Sequence, residues 1–186
     1  MHHDDVGRTA DEPSVAAKWD RGLTQRFVDL QRPIVKTYFR SQVLGLEHVP
    51  PGAALMVANH SGGLVTVDMS VIAVDYYKTF GYERPLYALA HDNLFRGPAA
   101  GFLERTGVIR ATPEHASEAL AAGGLVLVFP GGDYDVYRPT SLRTNILPVT
   151  IGFPFGLSVV LPINIPLPTK IVTQVLPPDR HRRRVR

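Results

Sequence analysis

The chain has 186 residues, 45% of them hydrophobic and 20% charged, which suits one globular domain with a sizeable core. Cysteine is absent, so disulfides and thiolate metal sites are excluded. The net charge of +3 is local: Arg180, Arg182, Arg183, Arg184 and Arg186 supply it, and the body is close to neutral, with no basic face, aromatic platform or module pointing to nucleic acid.

Residues 1–13 are expected to be disordered. The opening Met1-His2-His3-Asp4-Asp5 is polar and acidic, unlike a signal peptide. No apolar stretch reaches the roughly 20 residues of a spanning helix, so the chain is not expected to cross a membrane, and lying on one stays open. Ser14 to Arg40 reads as an amphipathic helix, with Trp19, Leu23, Phe27, Leu30, Ile34, Tyr38 and Phe39 on or near one face. Arg26, Arg32, Lys36 and Arg40 are interspersed, and Pro33 should kink or split the helix. Packing on a sheet is the plain expectation for that face; seating in a bilayer interface is the alternative.

Val43–Leu46 is an expected strand, closed by a turn through Glu47–Gly52. Ala53–Ala58 reads as a short buried strand that stops at Asn59-His60-Ser61-Gly62-Gly63, with Asp68 a few residues on. A strand end presenting an imidazole, with a carboxylate nearby, can position a general base and the group that orients it; an ordinary surface histidine fits the same pattern. A helix follows from about Val67 to Phe80, then a buried strand over Pro85–Ala90, a helix near Pro98–Thr106 and a short strand over Gly107–Arg110. Thr112-Pro113 reads as an N-cap with proline at the first helical position, and Gly123-Gly124 closes that helix. Leu125–Phe129 is the strongest strand signal and runs into Pro130-Gly131-Gly132-Asp133. Asp133 and Asp135 read as turn acids rather than a metal pair. Strands alternating with helices imply an α/β fold: a mixed sheet flanked by helices with its sites at strand ends, preceded by an N-terminal amphipathic helix.

Asn-His-Ser-Gly-Gly…Asp, Pro-Leu-Tyr-Ala-Leu-Ala-His-Asp, Gly-Val-Ile-Arg-Ala-Thr-Pro-Glu-His-Ala and Val-Phe-Pro-Gly-Gly-Asp, in this order over about residues 20–140, resemble the glycerolipid (lysophospholipid) acyltransferase superfamily. The bacterial branch similar to monoacylglycerol acyltransferases is the nearest resemblance. It implies a glycerol-3-phosphate acyltransferase-like fold and transfer of a fatty acyl group from acyl-CoA or acyl carrier protein to a hydroxyl of a lysophospholipid or glycerolipid. His60 would be the general base and Asp68 the residue that holds its tautomer, with no cofactor and no metal. Asn59, Ser61, Gly62 and Gly63 surround the base. Arg110, with Gly107 and Ile109, matches the second block and would meet the acceptor's head group, as would Pro130, Gly131, Gly132 and Asp133 of the third. The resemblance also implies work at the inner face of the cell membrane, from the cytoplasm.

The chain departs from that pattern in three places. Seven residues separate His60 from Asp68 where four are usual, and Val65 occupies the usual acid position. Gly131 stands where many members have glutamate, and no arginine follows until Arg138. Near residues 143–145 relatives carry a further helix and a fourth block, so an internal deletion is expected, within a single domain over 14–178. The arginine-rich stretch 179–186 reads as a frameshifted end or as a polybasic tail for anionic lipid. A shortened relative that binds lipid without turnover is the alternative to an enzyme. A hydrolase is a third reading, lacking a nucleophile elbow.

Overall fold

A computed structural model describes residues 13–59, 67–130, 149–153, 156–159, 165–166 and 168–179. Residues 1–12 of the expected disordered stretch 1–13, the junction at 143–145 and the arginines of the tail lie outside the described residues.

Two short helices open the fold. Helix α1 (Val15–Lys18) is capped by the Ser14 hydroxyl, and α2 (Arg21–Pro33) by the Asp20 carboxylate, which accepts from Leu23 N–H at 2.9 Å. The same carboxylate accepts from Arg105 Nη2 at 2.6 Å. Pro33 has no N–H to give to the preceding turn, and the helix widens into one π-helical turn, Ile34–Tyr38, closed by Phe39 N–H to Ile34 C=O at 3.1 Å. The proline thus changes the winding rather than ending the helix.

Strand β1 (Gln42–Leu44) follows, then β2 (Ala54–Val57), α3 (Val67–Phe80), β3 (Leu86–Ala90), α4 (Ala100–Arg105), β4 (Val108–Arg110), α5 (Pro113–Ala121) and β5 (Leu125–Val128). Thr112 caps α5 by accepting from His115 N–H at 3.2 Å, with Pro113 in the first turn as expected. The chain continues as β6 (Val149–Phe153), β7 (Gly156–Val159), β8 (Ile165–Pro166) and β9 (Val172–Gln174). The fold is α/β. Strands β2, β5, β3 and β4, in that order, form one parallel sheet; β1 and β9 pair in parallel; β7, β6 and β8 form an antiparallel sheet of their own.

Residues of β5 alternate between two cores. Leu125 and Leu127 join the cluster under α3, with Val71, Val74, Tyr76 and Leu86. Val126 faces the other way, into a cluster with Tyr87, Ile109, Ala119 of α5 and Val15 of α1. A strand buried on both faces reads as an unbroken apolar run, which is how Leu125–Val128 stands out in the sequence. Strand β2 differs from its expectation. Ala54 and Met56 pack on the α3 core, but Leu55 and Val57 are 55% and 63% exposed. The reason is position: among the described residues β2 is an outer strand of its sheet, and the cluster under α5 gathers residues of β3, β4 and β5 but none of β2.

The N-terminal helix shows a second correction. Phe39 is buried as expected, but the other core-facing residues are Thr24, Val28 and Val35, and the rest of the expected apolar stripe is turned by about one residue toward the outside. Leu23 and Phe27 are half-buried, Phe27 meeting Phe102 of α4 edge-on at 4.9 Å, while Leu30 and Ile34 are exposed.

Asp75, 8% exposed on α3, ties three segments together. It accepts from Lys36 Nζ at 2.5 and 2.7 Å through its two oxygens and from Val43 N–H of β1 at 3.0 Å, while Lys36 also donates to Ser41 C=O at 3.0 Å. Removing the carboxylate would strand a partly buried ammonium. Asp75→Ala is expected to lower the unfolding free energy by about 3 kcal/mol in urea titrations, and Lys36→Met, which leaves Asp75 its backbone donor, by less. The Asp20 cap adds a pH signature. Leu23 N–H and the Arg105 guanidinium hold its carboxyl below the ordinary 3.8, so its stabilisation is present above that value and is lost as the pH falls through the depressed one. The stability gap between wild type and Asp20→Asn, measured by denaturation, should therefore shrink between pH 7 and pH 3.

Candidate active site

The parallel sheet brings its motifs to one edge. The register pairs Val57 of β2 with Val128 of β5, and Ala58 N–H donates to Val128 C=O at 2.9 Å. Asn59 and Pro130 thus leave neighbouring strands side by side. Further along, Leu86, Tyr87 and Ala88 of β3 pair with Leu125, Val126 and Leu127, and Ala90 pairs with Arg110 at the end of β4. All four carboxyl ends, which carry the three sequence blocks, lie on the same edge, where open α/β sheets bind their ligands.

Asn59 and Pro130 are exposed there. His60, Ser61, Gly62 and Gly63 lie outside the described residues, as do Gly131, Gly132, Asp133 and Asp135. Asp68 is the second residue of α3, the helix that starts beyond that edge; it is half-buried, and a carboxylate in a first turn suits the positive end of the helix dipole. The structure therefore places one member of the expected His60–Asp68 pair.

Arg110 is placed, and its surroundings are a feature that reading the sequence missed. Its guanidinium lies over the Phe95 ring at 4.9 Å, and Nη1 is 3.5 Å from Asp92 Oδ1. Both partners come from a 3₁₀ turn, Asp92–Arg96, that follows β3 and was not expected. Phe95 is buried, so the ring is a fixed platform. The ion pair is solvent-exposed and long, hence weak, and an incoming anion can replace it at little cost. The signal available in the sequence was the His91-Asp92 dipeptide immediately beyond a strand.

His91 is exposed at the same edge, but its Nδ1 accepts from Asn93 N–H at 3.1 Å. The neutral ring then carries its proton on Nε2 and has no free lone pair for a substrate hydroxyl. A small space beside Arg110, lined also by Lys18, Glu104 and His115, measures about 10 Å³, room for a water and far too little for an acyl chain. Among the described residues no group of three or more His, Asp or Glu side chains could hold a metal ion.

Comparison with known proteins decides the family. Residues 40–160 match the family model described as Acyltransferase. The chain belongs to that family, the glycerolipid acyltransferase superfamily. An uncharacterized protein of Mycobacterium tuberculosis (strain ATCC 25618 / H37Rv) is 38% identical over 105 residues, 55% of this chain and 29% of that protein. An uncharacterized protein of Mycobacterium leprae (strain TN) is 32% identical over 126 residues, 67% of this chain and 33% of that protein. The chain thus matches about a third of the length of these curated relatives. No solved structure matches it significantly.

Within the acyltransferase domain the glycine of the second block has a geometric reason. Gly107 sits at φ +89°, and a Cβ there would lie 2.6 Å from Leu86 C=O. It is the close approach that lets β4 start beside β3, and so sets Arg110 level with Ala90. Gly107→Ala is expected to cost about 2 kcal/mol of stability, from the strained backbone and the clash, read as a lowered melting temperature.

Proposed function

We propose that this protein is an O-acyltransferase that moves a fatty acyl group from acyl-CoA or acyl carrier protein to a hydroxyl of a lysophospholipid or glycerolipid, with His60 as general base. The observation that supports this reading, beside family membership, is that the strands leading into the three blocks end on one carboxyl edge of the parallel sheet.

A free hydroxyl is a poor nucleophile near neutral pH. In this reading His60 takes its proton as the oxygen attacks the thioester carbonyl, and Asp68 orients the ring and stabilises the imidazolium. The tetrahedral intermediate collapses with cleavage of the C–S bond, and the imidazolium returns its proton to the departing thiolate. In this reading the backbone amides of Gly131 and Gly132 receive the oxyanion. Arg110, on its Phe95 platform, exchanges Asp92 for the acceptor's polar head. The acceptor is lipid, so the reaction takes place at a membrane surface; no described helix is long and apolar enough to cross one.

The test is release of free thiol from long-chain acyl-CoA in the presence of a panel of lysophospholipid and monoacylglycerol acceptors. His60→Ala should lower the rate by about 10²-fold or more, and Arg110→Ala should raise the acceptor KM more than it lowers kcat. Lipid binding without acyl transfer to any acceptor would instead identify a non-catalytic relative. An equally active His60→Ala protein would refute the assigned base.

A further inference from the structure

Beside Arg110 lies a polar pocket that the proposed mechanism leaves unused. It is the space of about 10 Å³ in which Lys18 of α1, Glu104 of α4, Arg110 of β4 and His115 of α5 meet, with Val15 and Ile109 as its apolar wall. Its frame is tied from several sides. Val15 N–H donates to Glu118 Oε1 of α5 at 3.0 Å, Lys18 Nζ lies 3.2 Å from Glu104 Oε1, and Asp20 N–H donates to Arg105 C=O at 2.8 Å. Helix α1 is thereby fixed to both α5 and α4. One polar atom in this frame is unused by the chain: His115 Nδ1 is shielded from solvent and has no hydrogen-bond partner among the described residues. Such an atom costs the fold unless a group fills the space and bonds to it. The pocket is within reach of a ligand, since the Lys18, Glu104 and Arg110 side chains remain 18%, 24% and 38% exposed.

We infer that this pocket receives a second, non-reacting hydroxyl of the acceptor, so that His115, Lys18 and Glu104 select acceptors with a polyol head, of which glycerol is the simplest. Size sets the first limit, because the space holds one oxygen with its hydrogen and little more. Hydrogen-bond chemistry sets the second. Lys18 and Arg110 can only donate, the Glu104 carboxylate can only accept, and His115 Nδ1 does either according to its tautomer. A hydroxyl gives one hydrogen bond and takes others, so it satisfies both kinds of neighbour at once. A phosphoryl oxygen only accepts: it would stand against the Glu104 carboxylate, and the Lys18 charge is already met by that same group. The inference rests on the acyltransferase reading and deepens it by naming the class of acceptor.

The test compares monooctanoylglycerol with the octanoate monoesters of propane-1,2-diol and propane-1,3-diol, each of which keeps one hydroxyl of the glycerol pair. With long-chain acyl-CoA as donor, the acceptor KM should be about tenfold lower for monooctanoylglycerol than for either diol ester. His115→Phe should bring the monooctanoylglycerol KM up to that of the diol esters, whereas His115→Asn, whose amide reaches the place of Nδ1, should keep most of the preference. The ratio is taken within each variant, so a smaller folded fraction cancels. Binding is read separately with no acyl donor present: the His115 ring signals in NMR spectra should shift on addition of monooctanoylglycerol and stay in place with the diol esters. That shift without acyl transfer to any acceptor would sink the acyltransferase reading and leave the pocket standing. Ring signals indifferent to monooctanoylglycerol, equal KM values for the three esters, or a preference that survives His115→Phe would overturn the inference.

Discussion

Everything at the candidate site depends on the register of β5 between β2 and β3. One strand, hydrogen-bonded on both sides and buried on both faces, sets how far each neighbour extends before its loop begins. A shift of one residue would turn Val126 into the α3 core and Leu125 and Leu127 into the α5 core, reversing both packings. That cost holds the ends of β2 and β5 level, so that residues about seventy positions apart in sequence leave the sheet side by side. Arg110 inherits its place through one further step, from β3 to β4.

Much of this was legible in the residues. The buried central strand announced itself as Leu-Val-Leu-Val, and the α5 cap as Thr-Pro, because both signals are local and each has one physical cause. Asp92 and Phe95 were not legible as partners of Arg110. A 3₁₀ turn has weak periodicity, and nothing in the chain marks which strand end it folds over. The placement of Asp68 at the start of α3 agreed with expectation, since a 14-residue apolar-rich segment has few other ways to satisfy its backbone.

The N-terminal helix shows where a sequence pattern misleads. Leu23, Phe27, Leu30 and Ile34 fall at helical spacing, and that stripe was the natural choice for the buried face. The core instead takes Thr24, Val28 and Val35, and of the expected face it keeps Phe39 fully buried. A helix with two apolar stripes has no unique burial solution from periodicity alone; here contact with α3 and the tie from Lys36 to Asp75 select one. The expectation for β2 failed for a related reason. An apolar hexapeptide fits a central strand and an edge strand equally well until its neighbours are known.

Gly45 lies against a late strand: at φ +78° its α-carbon leaves room for Val175 C=O where any Cβ would collide. Beside it, His48 Nδ1 donates to the same carbonyl at 3.0 Å across 127 positions of chain, and β1 finds its described partner in β9. During synthesis the helices and the parallel sheet can therefore assemble while β1 still waits for its neighbour. The β1–β9 pair closes a loop of about 130 residues, the longest-range pairing described, so its formation is expected to follow the packing of β1 on α3 through Val43 and Asp75.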